Sequence, residues 1–149
     1  MGGGRAAANA LCQAEAAAAG LSGAFLAVLP TSTTSAASQF NTIGRPWVRS
    51  DGIPITETAA EFFSAALWNS APNLSADRIV SQNDPVLFGG TSLEQPATLE
   101  ATCSDWTSTT GSVAVSGAAV YASEGEFFRA FSNVLTCDQA RGHLACLED

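Results

Sequence analysis

Residues 11–29, LCQAEAAAAGLSGAFLAVL, decide the architecture, because a helix, its stop and a buried strand follow one another there. Read from Ala6, the run has helical spacing. Leu11, Cys12, Ala16 and Ala19 fall at i, i+1, i+5 and i+8, which predicts one apolar stripe on that helix. Gly20 stands where a chain leaving a helix needs a left-handed residue, and Leu21 is placed to fold back onto the last turn. Ser22-Gly23 turns the chain. The FLAVL run at 25–29 is apolar on both alternating faces, as expected of a strand covered on both sides.

Downstream, Pro30 ends that strand, and Thr31 to Ser35 offer caps for a short helix reaching Phe40. Pro46-Trp47-Val48 and Ile53-Pro54-Ile55 flank Ser50-Asp51-Gly52, a hairpin pattern whose prolines demote both arms to edge status. Thr58 and Glu61 have capping-box spacing ahead of a helix with Phe62, Phe63, Ala66 and Leu67 on its apolar face. Ile79-Val80, Val86-Leu87-Phe88, Val113 with Val115, and residues 144–147 read as short strands. Phe127, Phe128, Phe131 and Val134 have the spacing of a short amphipathic helix. The expectation is one α+β domain over residues 1–149, with two main helices near the front and short strands separated by long loops.

Composition excludes several classes of partner. The net charge is −8, and all six basic residues are arginine. Nucleic acid, sulfated polyanions and anionic membrane surfaces each require a basic patch that such a chain is poorly placed to build. Apolar runs are broken by Gly and Ser well short of the ~20 residues that a membrane span needs, so no membrane insertion is expected. The opening MGGGR has no basic start followed by an apolar run, so no secretory signal is read there.

The four cysteines, Cys12, Cys103, Cys137 and Cys146, lack the CxxC spacing of zinc ribbons. Their number leaves three possible connectivities open. An even count in a Ser/Thr-rich chain without lysine points to an oxidising compartment.

Catalytic chemistry finds little to stand on. The single histidine, His143, has no G-x-S-x-G elbow to serve. Glu124 and Glu126 flank Gly125 and read as a solvated turn rather than an acid–base pair. Zinc lacks ligands, and the calcium candidates Asn83, Asp84 and Asp105 come without EF-hand spacing. No catalytic, cofactor or metal residue is therefore assigned, and the expectation is a protein that is not an enzyme. Asn73-Leu74-Ser75 fits the N-glycosylation pattern. Trp47, Trp68 and Trp106 read as core anchors before binding-surface aromatics.

A resemblance to a family comes with these residues. The order Asn9-Ala10-Leu11-Cys12-Gln13, then Gly20-Leu21-Ser22-Gly23-Ala24-Phe25, resembles the start of the endostatin domain of collagens and its bacterial relatives. The similarity continues through the 46–55 hairpin, the helix near Glu61, Val86-Leu87-Phe88-Gly89-Gly90, Cys103-Ser104-Asp105-Trp106 and the closing Cys146-Leu147-Glu148. It implies a C-type-lectin-like fold, with disulfides Cys12–Cys146 and Cys103–Cys137 nested one inside the other. The chain departs from the family in lacking its clustered arginines, its amino-terminal histidines and the sugar-binding triplet of true C-type lectins; Glu94-Gln95-Pro96-Ala97 lacks the last group of that triplet. Heparin, zinc and mannose-type sugar binding are therefore not carried over.

The functional expectation is a non-catalytic recognition or adhesion module, secreted or held at a cell surface or in a periplasm. Its protein or glycan ligand would meet the long loops at 69–111. The alternative is a structural or assembly subunit. Relatives usually pair a strand before the first helix with the carboxy-terminal strand, so an open sheet edge at 144–147 is expected here. That edge and the Phe127, Phe128 and Phe131 cluster would then mediate self-association or accept a donated strand.

Overall fold

Helix α1 (Gly4–Ala18) buries Ala8, Cys12 and Ala16, a row at i, i+4 and i+8. In the structure, a computed structural model that describes residues 2–64, 67–81, 85–118, 122, 127–128, 133–138 and 142–149, this stripe is narrower than the expected one. Leu11 is exposed because it stands about 100° round the helix from Cys12. Ala19, also expected inside, is already the C-cap and faces solvent. The buried row is made of small side chains, which lets α1 lie directly on strand β1 (Phe25–Ala27). The helix stops as the sequence requires. Gly20 takes φ +73°, its N–H donates to the Ala17 carbonyl, and the Leu21 N–H donates to the Ala16 carbonyl. These are the two bonds of a Schellman motif.

The remaining elements follow in order: a 3-10 turn (Ala37–Gln39), α2 (Ala59–Phe63), β2 (Pro85–Leu87), α3 (Cys103–Trp106), β3 (Ser112–Ala118), β4 (Asn133–Thr136), β5 (His143–Leu144) and β6 (Cys146–Glu148). The class is α+β. β1 and β6 form an antiparallel pair with Leu26 opposite Leu147, and a second sheet runs in the order β4-β3-β2-β5. Among the described residues only its β2–β5 pairing is parallel.

Three expectations are corrected. Helix α2 ends at Phe63, and Leu67 is 86% exposed rather than on the apolar face; Ala66 lies outside the described residues. Val134 belongs to strand β4, where it opposes Ala114, and not to a helix continuing from Phe127. Pairing with β3 has overridden the local helical spacing. Residues 79–80 form a single bridge, Leu74 to Val80, in place of a strand.

Among the described residues β6 pairs with one strand, β1, and β5 with one strand, β2. The run 143–148 joins the two sheets, with β5 against β2 and β6 against β1. The Val28 N–H donates to the Ala145 carbonyl and the Asp149 N–H to the Ala24 carbonyl, extending the β1–β6 pairing at both ends. Trp47 Nε1 donates to the Glu148 carbonyl at 2.6 Å. On β1, the backbone groups that do not face β6 meet side-chain amides. Gln13 accepts the Phe25 N–H and donates to the Gly23 carbonyl. Asn9 accepts the Ala27 N–H, and Gln39 donates to the carbonyls of Ala27 and Leu29. Backbone groups beside a buried strand must be paired, and here two helix turns do what a neighbouring strand would do.

Two apolar clusters hold these elements. The larger is aromatic: Phe40, Trp47, Phe62, Phe63, Trp68, Phe88, Phe127 and Phe128 are all buried within it. Trp68 stacks on Phe62 at 4.7 Å between ring centres. Phe127 and Phe128 are thus core residues and offer nothing to a partner; Phe131 lies outside the described residues. The smaller cluster gathers Ala8, Cys12, Ala27, Leu29, Leu87, Cys103, Trp106 and Cys137. Both disulfides close on it.

Candidate functional site

Cys12 and Cys146 are placed by regular elements at the two ends of the chain, and Cys103 and Cys137 by turns between them. Cys12 of α1 bonds Cys146 of β6, with Cα atoms 5.7 Å apart. Cys103 bonds Cys137, with Cα atoms 5.9 Å apart. These are the pairs the family resemblance implies. One ties the first helix to the last strand, and the other fixes the turn that carries Asp105 and Trp106.

On this frame two hairpin-like loops stand side by side. In the first, Val48 bridges Pro54, Gly52 turns with φ +87°, and the Gly52 N–H donates to the Arg49 carbonyl. Arg49 spans the tip to Asp51, with Nη2 2.6 Å from Oδ2. That hydrogen bond is the main reason the Asp51 carboxyl is held below the ordinary carboxylate range. In the second loop, Leu74 bridges Val80, and Ser75 closes the turn by donating its hydroxyl to the Ile79 carbonyl and accepting the Ile79 N–H. The loops are joined to each other. Arg49 Nη1 donates to Asn73 Oδ1 at 3.2 Å, and Ser50 Oγ donates to the Ser75 carbonyl at 3.3 Å.

What the joined loops present is apolar. Val48, Ile53, Ile79 and Val80 are between 45% and 65% exposed. Scattered exposed aliphatics are ordinary; these four stand on two tips that are hydrogen-bonded to each other. Beside the tips runs a cleft of about 890 Å³, lined among others by Arg45, Trp47, Arg49, Asn73, His143 and Glu148.

The other sequence candidates do not assemble with it. His143 is exposed on β5 at the cleft wall. Glu124, Glu126, Asn83 and Asp84 lie outside the described residues. Asp105 has its carboxylate occupied: Oδ1 accepts the Ser32 N–H at 2.6 Å and Oδ2 the Ser32 hydroxyl at 2.8 Å. Among the described residues no group of three or more His, Cys, Asp or Glu side chains is placed to hold a metal ion. All three tryptophans are buried. Asn73 of the glycosylation triplet is half-buried, with its amide oxygen taken by Arg49. Among the described residues no helix is long and apolar enough to cross a membrane.

Sequence reasoning missed Asn9, Gln13 and Gln39 as strand caps, and Arg49 as the link between loops. Asn9 and Gln13 do carry a signal, two amides at i and i+4 flanking the buried row of α1. Arg49 carries none, because Asn73 lies far along the chain.

No protein-family model matches the chain, and no curated protein matches it in sequence.

Proposed function

We propose that the chain is a non-catalytic recognition or adhesion module of endostatin-like, C-type-lectin-like fold, working outside the cytoplasm, whose contact surface is the joined pair of loop tips at 46–54 and 73–81. The observation that carries this reading is the exposure of Val48, Ile53, Ile79 and Val80 on loops locked together through Arg49 and Ser50. Leaving aliphatic side chains in water while fixing the backbone beneath them favours contact, since little ordering remains to be done on binding. Two disulfides support an oxidising setting, and secretion or display at a cell surface or in a periplasm is part of the proposal. The net charge of −8 favours a neutral or cationic protein or glycan as ligand over an anionic one. The expected loop region at 69–111 contributes its first part, and the hairpin at 46–54 joins it.

The test is a glycan and protein array, with and without calcium, probed by the intact chain and by the Ile53→Asp, Ile79→Asp double variant. Specific capture by the intact chain and its loss in a variant of unchanged thermal stability support the reading. Capture that survives the double substitution, or a chemical turnover abolished by changing His143, overturns it.

A further inference from the structure

Helix α3 is not right-handed. Cys103, Ser104, Asp105 and Trp106 all have φ between +53° and +67°, a full left-handed turn containing no glycine. Each such residue brings its Cβ too close to the following carbonyl, so the conformation persists only where its surroundings impose it. Here they impose it from every side. The Asp105 N–H donates to the Thr102 hydroxyl, and the carboxylate is held by Ser32. Trp106 is buried, and its Nε1 donates to the Pro30 carbonyl at 2.8 Å. Gly89 passes so close that a Cβ there would lie 2.5 Å from the Ala101 carbonyl oxygen. The remaining tether is covalent, the bond from Cys103 to Cys137. The other disulfide joins a right-handed helix to a regular strand, with no left-handed residue at either end.

We infer that the Cys103–Cys137 bond is the latch of a redox-sensitive conformational switch, whose reduction lets residues 103–106 relax out of the left-handed turn while Cys12–Cys146 keeps the fold closed. The reductant is a dithiol. Its thiolate attacks one sulfur, the S–S bond takes up two electrons and two protons to leave two thiols, and the dithiol departs as its own disulfide. Relaxation draws Asp105 away from Ser32 and Trp106 away from Pro30, and so remodels the surface from Leu99 to Gly111. Accessibility argues for the opposite order of reduction: Cys103 and Cys137 are both buried, whereas Cys146 is only half-buried. The two accounts therefore part cleanly.

The experiment equilibrates the full chain in buffers of graded reduced and oxidised dithiothreitol, then alkylates and maps each cysteine while following tryptophan fluorescence. The switch predicts that Cys103 and Cys137 become alkylated at a reduced-to-oxidised ratio about tenfold lower than Cys12 and Cys146. The fluorescence change follows the first step. Ser104 is exposed, so replacing it tests the cause through the backbone preference of the turn. Ser104→Gly, at ease in the left-handed region, makes the inner bond about 3–10-fold harder to reduce, and Ser104→Val makes it easier. Reduction of Cys12–Cys146 first, reduction of both bonds together, or a midpoint indifferent to residue 104 overturns the inference.

Discussion

Asn9 Oδ1 accepts the backbone N–H of Ala27 at 2.9 Å, so a side chain of the first helix occupies the place of a neighbouring strand. Ala27 is fully buried, and removing the acceptor strands its N–H without water. Asn9→Leu is expected to cost about 1–3 kcal/mol in urea unfolding. Asn9→Asp, which keeps an acceptor, loses less. A Leu variant as stable as the parent contradicts the capping role.

The two disulfides differ in the loops they close. The Cys12–Cys146 bond spans 134 residues and the Cys103–Cys137 bond 34. On the chain-entropy model their removal as paired serine substitutions costs about 4–5 and about 3–4 kcal/mol. The left-handed turn released with the inner pair offsets part of its loss, so the measured gap is expected to exceed that set by loop length alone. Denaturant unfolding of the two double variants measures it.

Asp51 gives a pH signature to the loop tips. Its folded pKa lies below the unfolded one, chiefly through the hydrogen bond from Arg49. A group of that kind contributes above its unfolded pKa, and the contribution fades as pH falls through the folded pKa. Carboxyl NMR is expected to show Asp51 titrating below the ordinary aspartate range, and Arg49→Gln to return it upward. The side chain lies at the surface, so the link between the loops, rather than global stability, is what acid loosens.

Trp106 anchors the smaller core by both its ring and its N–H. Trp106→Phe vacates part of a fully packed site and leaves the Pro30 carbonyl unpaired, at an expected cost of about 2–4 kcal/mol. Calorimetry checks this. A loss below 0.5 kcal/mol, the range of ordinary surface changes, contradicts it.

Features whose chemistry sits within a few residues were legible in the sequence. Gly20 ends α1, Gly52 turns the hairpin, and Glu61 accepts the Thr58 N–H ahead of α2, each by contacts inside one turn. What failed was settled by distant residues. Val134 joined a strand because Ala114 pairs with it, and Leu11 was excluded because the narrow row of Ala8, Cys12 and Ala16 suffices against β1. Nothing in Cys-Ser-Asp-Trp announces a left-handed turn, since Ser32, Pro30 and Cys137 impose it from far along the chain. The site was half legible for the same reason. The hairpin at 46–54 carries its own turn signal, but its union with 73–81 depends on Arg49 reaching Asn73.

The most direct measurement is peptide mapping of the non-reduced chain by mass spectrometry. The account predicts two cross-linked species, one joining the segment around Cys12 to that around Cys146 and one joining Cys103 to Cys137. Free thiols at all four positions, or a peptide linking Cys12 to Cys103, would contradict it.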